Sequence, residues 1–153
     1  MSQRNLILLA TLGSLAVLSG AVTFQLFGYV PCKLCVWQRW PHVAAVLIGV
    51  LWFVRPWAVW PVLGALAALT TAAIGLYHSG VEWGVFAGPD NCTSNPIGGL
   101  TADQLMDQIL NAPLVRCDEV PWSLFGLSIA GWNMLASFGL ASLWALAATR
   151  PSR

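Results

Sequence analysis

The chain is 153 residues long, 58% hydrophobic and only 8% charged, with nine Trp and a formal net charge of +1. A soluble domain carries roughly 25% charged residues, so most of this surface does not face water, and the near-neutral balance gives no basis for nucleic-acid binding. The expected architecture is all-α: one integral membrane domain over 1–153, a bundle of four transmembrane helices.

The first expected span covers about residues 5–28. Arg4 ahead of the run and Ser19-Gly20-Ala21 within it make a passable signal-peptide cleavage pattern. The apolar core Leu6–Phe27, however, is 22 residues long, beyond the ~7–15 of a signal core. At ~1.5 Å per residue it reaches ~33 Å, enough to cross a ~30 Å hydrocarbon layer, so a retained helix is expected. The stretch YVPCKLCVWQRWPH (29–42) follows, and a second span occupies about 36–54. A third occupies 57–77 and a fourth 122–148.

Between the last two lies a long loop, about 79–121. All six acidic residues fall between positions 82 and 119, which marks that segment as aqueous. Within it, Thr101 and Gln104 make a capping box, with Leu100 and Leu105 placed as a hydrophobic staple. A short amphipathic helix over 102–112 is therefore expected, ending ahead of Pro113. Leu105, Met106, Ile109 and Leu110 form its apolar stripe, away from Asp103, Asp107 and Gln108. Such a helix lies flat on a membrane surface or packs on the loop's own small core.

Orientation follows from the basic residues. Arg4, Arg55, Arg150 and Arg153 share one side under four spans, against Lys33, Arg39 and Arg116 on the other, so the positive-inside tendency makes both termini cytoplasmic. Trp37, Trp40, Trp83 and Trp122 then sit near the outer face, and Trp52, Trp57, Trp60 and Trp144 near the inner one, as aromatic belts do.

Parity also places the four cysteines. Cys32 and Cys35 follow span one, Cys92 and Cys117 lie between spans three and four, and both pairs emerge on the non-cytoplasmic side, where disulfides persist. Zinc ligands are expected at repeated close spacing; here 24 residues separate the second pair and neither pair has a His nearby in sequence, so no metal is expected. Two structural disulfides remain an alternative. That suits Cys92 with Cys117, which would close a long loop, better than Cys32 with Cys35, because C-x-x-C is chiefly a redox arrangement. If helix two starts near Cys35, the helix dipole and Arg39, one turn on, both favour a Cys35 thiolate. The exposed loop pair suits exchange with a protein thiol, and the membrane-proximal pair suits a lipid-soluble acceptor.

PCKLCVWQR after span one, LYHSG closing span three and PWSLFGLSIAGWN opening span four resemble the bacterial disulfide bond formation protein B (DsbB) family, over roughly residues 5–148. The resemblance implies a thiol-disulfide oxidoreductase of the bacterial inner membrane that reoxidises a periplasmic DsbA-type thioredoxin-fold dithiol protein and passes the electrons to quinone. It further implies that Cys92 takes the partner's attack, that Cys117 on release attacks Cys32, and that Cys35 meets the quinone. Arg39 matches the arginine that contacts quinone, and His78 a histidine near its ring. Gln38 departs from members that carry an acid before the arginine. Whether the quinone is ubiquinone or menaquinone is left open. Two rivals stand beside this: a membrane dithiol relay running from quinol to outside substrates, and a structural subunit with static disulfides.

Overall fold

The computed structural model describes residues 1–93, 101–110 and 115–151. Helix α1 spans Gln3–Leu26, α2 Lys33–Val54, α3 Val59–Glu82, α4 Ala102–Leu110 and α5 Ile129–Ala148, with two-residue strands β1 (Ser123–Leu124) and β2 (Leu127–Ser128) just before α5. Four of them, α1, α2, α3 and α5, are 20–24 residues long and apolar enough to cross a membrane. They close a ring in which α1 packs on α2 and α5, and α3 packs on the same two. The chain is thus a four-span membrane bundle with a short helix in the loop between its third and fourth spans.

Polar caps start the helices. Ser2 accepts the Asn5 N–H at 3.3 Å, and Ser128 accepts that of Gly131 at 3.1 Å, each satisfying an amide that has no carbonyl partner in the first turn. At one end of the bundle the termini meet, where Gln3 Nε2 donates to the carbonyls of Ala147 and Arg150, both at 3.0 Å. The core nearest that end joins Leu6, Ile7 and Ala10 to Trp52, Ala68, Ala141 and Trp144. Small residues make the fit possible: a Cβ on Gly64 would collide with the Trp144 ring, and one on Gly49 with Thr11. Lipid cannot drive helices together hydrophobically, so close contact of this kind carries the association.

Two boundaries differ from those the hydropathy suggests. Helix α3 continues past Tyr77 to Glu82, so His78 and Glu82 are helical and Glu82 is not in the aqueous loop. Its carboxylate is 3% exposed beside His78 and accepts a short hydrogen bond from Ser128 Oγ; that hydroxyl offsets part of the penalty a solitary buried carboxyl would carry. The fourth span begins at Ile129, not near Trp122, because Ser123–Ser128 turns back as a hairpin. Phe125 (φ 52°) and Gly126 (φ 78°) both take positive φ, the demand of a two-residue hairpin turn whose twist matches its strands.

In the loop, the capping box forms as expected. Thr101 N–H donates to Gln104 Oε1 at 2.9 Å and Gln104 N–H to Thr101 Oγ1 at 3.4 Å. Leu105, Met106, Ile109 and Leu110 are all exposed, so α4 does not pack on a loop core. Leu100 and Pro113, expected to flank this helix, lie outside the described residues.

Candidate functional site

The turn before α2 is built around sulfur. Cys32, not Cys35, is the N-cap of α2, and its Sγ accepts the Cys35 N–H at 3.2 Å. Cys35 is the third residue of the helix, so the expectation of a helix beginning at Cys35 is shifted by two residues. The two sulfurs lie 2.9 Å apart as free cysteines. The Cys32 thiol is pushed below its ordinary pKa, first by the hydrogen bond with Cys35 and then, against burial, by the hydrogen bond and charge of His78.

Cys92 and Cys117 form a disulfide, with Cα atoms 5.3 Å apart. The expectation of a solvent-facing loop pair is overturned. Cys92 is 2% exposed and Cys117 fully buried, and both pack with Cys32, Leu34 and Val81 in one cluster, which Tyr77 and Val115 border. The disulfide is pulled inward by apolar neighbours on α2 and α3. All four sulfurs therefore gather at one end of the bundle.

A buried polar chain runs from this cluster into the helices. His78 Nε2 stands 3.5 Å from Cys32 Sγ and 3.8 Å from Glu82 Oε1. On its other side Nδ1 lies 2.8 Å from Gln38 Nε2. Asn133 Nδ2 donates to Gln38 Oε1 at 2.7 Å and to Thr71 Oγ1 at 3.1 Å, while its Oδ1 lies 2.9 Å from His42 Nε2. Each member satisfies the next, as polar groups within a bilayer require.

Alongside runs a cavity of about 440 Å³ between α1, α2, α5 and the hairpin. Val17, Leu18 and Phe24 of α1 wall it together with Trp122, Leu124 and Trp132, Phe24 packing edge-on against Trp122 with ring centres 5.0 Å apart. Its polar lining comes from one face of α2, Cys35, Gln38, Arg39 and His42, with Asn133 of α5 bonded beside Gln38 and His42. Arg39 bridges to α1, donating to Gln25 Oε1 at 2.9 Å and to the Ala21 carbonyl at 3.4 Å. A flat apolar ring with polar oxygens at its edge suits this lining, and the volume lies in the ~300–1,000 Å³ range of small-molecule sites.

A family model described as disulfide bond formation protein DsbB matches residues 3–147. The chain belongs to the DsbB family. It is 32% identical to the disulfide bond formation protein B of Verminephrobacter eiseniae over 155 residues, covering 94% of this chain and 84% of that protein. Against that of Xanthomonas oryzae pv. oryzae the identity is 32% over 160 residues, covering 96% and 90%. Disulfide bond formation protein B 2 of Pseudomonas savastanoi pv. phaseolicola is 31% identical, covering 92% and 85%. No solved structure matches the chain.

Of the residues singled out from the DsbB resemblance, the structure brings Cys32, Cys92, Cys117 and His78 to one cluster and sets Cys35 and Arg39 on the cavity wall. His78 stands behind Cys32 and is not among the cavity-lining residues. It is a histidine beside a cysteine pair, which sequence spacing did not show. Glu82, His42 and Asn133 were missed. The signal for His42 was present, since positions 35, 38, 39 and 42 recur at the spacing of one helix face. Asn133, a polar residue inside an apolar span, is a functional candidate by that fact alone.

Proposed function

We propose that this protein reoxidises a DsbA-type thioredoxin-fold dithiol protein and passes two electrons to a membrane quinone, with the cysteine end of the bundle periplasmic and both termini cytoplasmic in the bacterial inner membrane. One observation carries the reading: Cys35 lines an apolar cavity with Arg39 while its neighbour Cys32 packs in the same cluster as the Cys92–Cys117 disulfide. The C-x-x-C pair thus has one sulfur toward each half of the reaction.

In the first half, a partner thiolate attacks Cys92, breaking its bond to Cys117 and leaving a mixed disulfide. The partner's second thiolate resolves it, and the partner departs oxidised, leaving the loop pair with two electrons. Cys117 then attacks Cys32 of the Cys32–Cys35 disulfide, Cys92 displaces Cys32 from that bond, and Cys32 and Cys35 are left reduced. With Cys92 and Cys117 joined and Cys32 and Cys35 unjoined, the arrangement suits the second half.

A quinone bound in the cavity supplies an acceptor for two electrons and two protons. Arg39 offers a fixed guanidinium to an oxygen of that ring, an oxyanion-hole role, and Cys35 presents its sulfur from the same helix face. His78 holds a proton between Cys32 and Glu82. The aromatic walls exclude water.

Purified protein should reduce a soluble quinone analogue only when given a reduced thioredoxin-fold partner, and Cys35→Ser should abolish turnover. Quinone reduction surviving in Cys35→Ser would overturn the assignment.

A further inference from the structure

We propose that the reduced Cys32–Cys35 pair, with His78, is a binding site for a soft or borderline divalent cation, Zn²⁺ being the type case, which locks the protein in its dithiol form. The inhibitory consequence rests on the function proposed above; the binding itself does not.

Cys32 Sγ, Cys35 Sγ and a ring nitrogen of His78 all lie within 4.8 Å of one another. With Zn–S near ~2.3 Å and Zn–N near ~2.0–2.1 Å, a tetrahedral site sets sulfur and nitrogen ~3.5–3.6 Å apart and two sulfurs ~3.8 Å apart. The Cys32–His78 edge is already 3.5 Å. The sulfur–sulfur edge is 2.9 Å, so one sulfur must swing outward by about 0.9 Å to reach the tetrahedral spacing. Cys35 is the one with room: it is half-buried and opens on the cavity, whereas Cys32 and His78 are buried.

The charge balance suits a buried site. A divalent cation and two thiolates sum to zero, so the complex enters a low-dielectric region without net charge. Binding releases two protons to solvent, one shared by Cys32 and His78 and one from Cys35, and no electron moves. Three protein ligands leave one position for water. Glu82 Oε1, 3.8 Å from His78 Nε2, is placed to accept a hydrogen bond from that water.

Support for the histidine comes from Gln38. A metal-bound His donates its other ring N–H to a fixed acceptor. The Gln38 amide lies 2.8 Å from His78 Nδ1. When Nε2 binds metal, Nδ1 carries the proton and the amide turns its carbonyl to it. Asn133 turns with it, its Oδ1 then accepting the Gln38 N–H across the existing 2.7 Å contact, and the exchange gives up the bonds from Gln38 Nε2 to the Leu34 carbonyl and from Asn133 Nδ2 to Thr71. Nitrogen and sulfur donors of this kind select Zn²⁺ and its neighbours over Mg²⁺ and Ca²⁺.

The test uses full-length protein in detergent, with Cys92 and Cys117 both replaced by Ser so that only one thiol pair remains. Zn²⁺ is titrated against a chromophoric chelator, and Co²⁺ is added separately for its spectrum. The reduced protein should bind one ion per chain, with a thiolate-to-cobalt charge-transfer band and tetrahedral d–d bands. Oxidation or Cys35→Ser should abolish the band, and His78→Ala should weaken affinity at least about tenfold. Helical circular dichroism and thermal stability confirm folding, with His78→Asn as the second variant. No uptake by folded reduced protein, uptake unchanged in both His78 variants, or an octahedral cobalt spectrum would each overturn the site. If quinone reduction fails while cobalt binds as described, the proposed function falls and this site stands.

Discussion

Replacing Asn133 with Ala tests the buried polar chain at its centre. Asn133 joins the side chains of Gln38 and Thr71 to His42, through contacts of 2.7, 3.1 and 2.9 Å, while Thr71 Oγ1 also donates to the Gln38 backbone carbonyl at 3.0 Å. Ala removes all three at once. Gln38 keeps its contact with His78 but its carbonyl loses its donor, while His42 retains only Ser137 Oγ, at 3.3 Å. Interhelical hydrogen bonds in membrane proteins are worth ~0.6 kcal/mol on average and up to ~1.7, and a buried group left without a partner costs ~1–3 kcal/mol. The two strongest contacts here give a loss of about 2 kcal/mol, or roughly thirtyfold in the folded-to-unfolded ratio. Unfolding of the purified protein in mixed micelles by rising SDS fraction measures it. Gln38→Ala and the double variant complete a cycle, whose coupling should be about 0.6–1.7 kcal/mol. A single-variant loss below about 0.5 kcal/mol, or a cycle that closes within its usual ~0.3–0.5 kcal/mol error, would refute the chain as drawn.

Three further outcomes are expected. Gly64→Leu drives a side chain into the Trp144 ring and should destabilise the bundle by about 1–3 kcal/mol in the same SDS assay; an unchanged midpoint contradicts the packing. Gly126→Val places a β-branched residue at φ 78°, at a cost of ~1–3 kcal/mol, so thermal melting should fall while Gly126→Asn stays close to wild type. Arg39→Lys loses the planar fork that spans Gln25 and Ala21. A hydrogen bond to a charged group is worth ~1.5–3 kcal/mol, so the KM for a quinone analogue should rise tenfold or more, and an unaltered KM would favour a purely structural Arg39.

The four spans were legible because hydropathy is local: a run of apolar residues long enough to cross a bilayer declares itself without reference to anything distant. The placement of all four cysteines at one end followed from span parity alone, and the capping box at Thr101 and Gln104 from a four-residue pattern. What escaped was whatever depends on partners remote in sequence. Glu82 reads as an aqueous residue until Ser128, 46 positions on, supplies its hydrogen bond. His78 stands an equal 46 residues from Cys32, so counting along the chain could not bring it to the sulfur. The hairpin lay hidden because Phe125-Gly126 lacks the Asn-Gly signature of its turn type and sits against an apolar run.

The largest departure, burial of the loop disulfide, bears on how such an enzyme stays selective. An exposed, mobile Cys92–Cys117 bond would react with any small thiol. Here both sulfurs, and Cys32 with them, pack with Leu34 and Val81, so in the proposed exchange an attack on Cys92 first requires the disulfide to part from α2 and α3. A macromolecular partner can offset that opening with its own contacts, whereas a free tripeptide thiol cannot. Glutathione should accordingly reduce the loop disulfide at least tenfold more slowly in folded protein than in denatured chain, the ratio set by an opening free energy of ~1.4 kcal/mol or more. Equal rates in the two states would mean that the cluster opens freely and that selectivity resides elsewhere. Under the proposed relay, parting the disulfide from this cluster also uncovers Cys32, so the motion that admits the partner frees the next sulfur in line and packing couples the two exchanges.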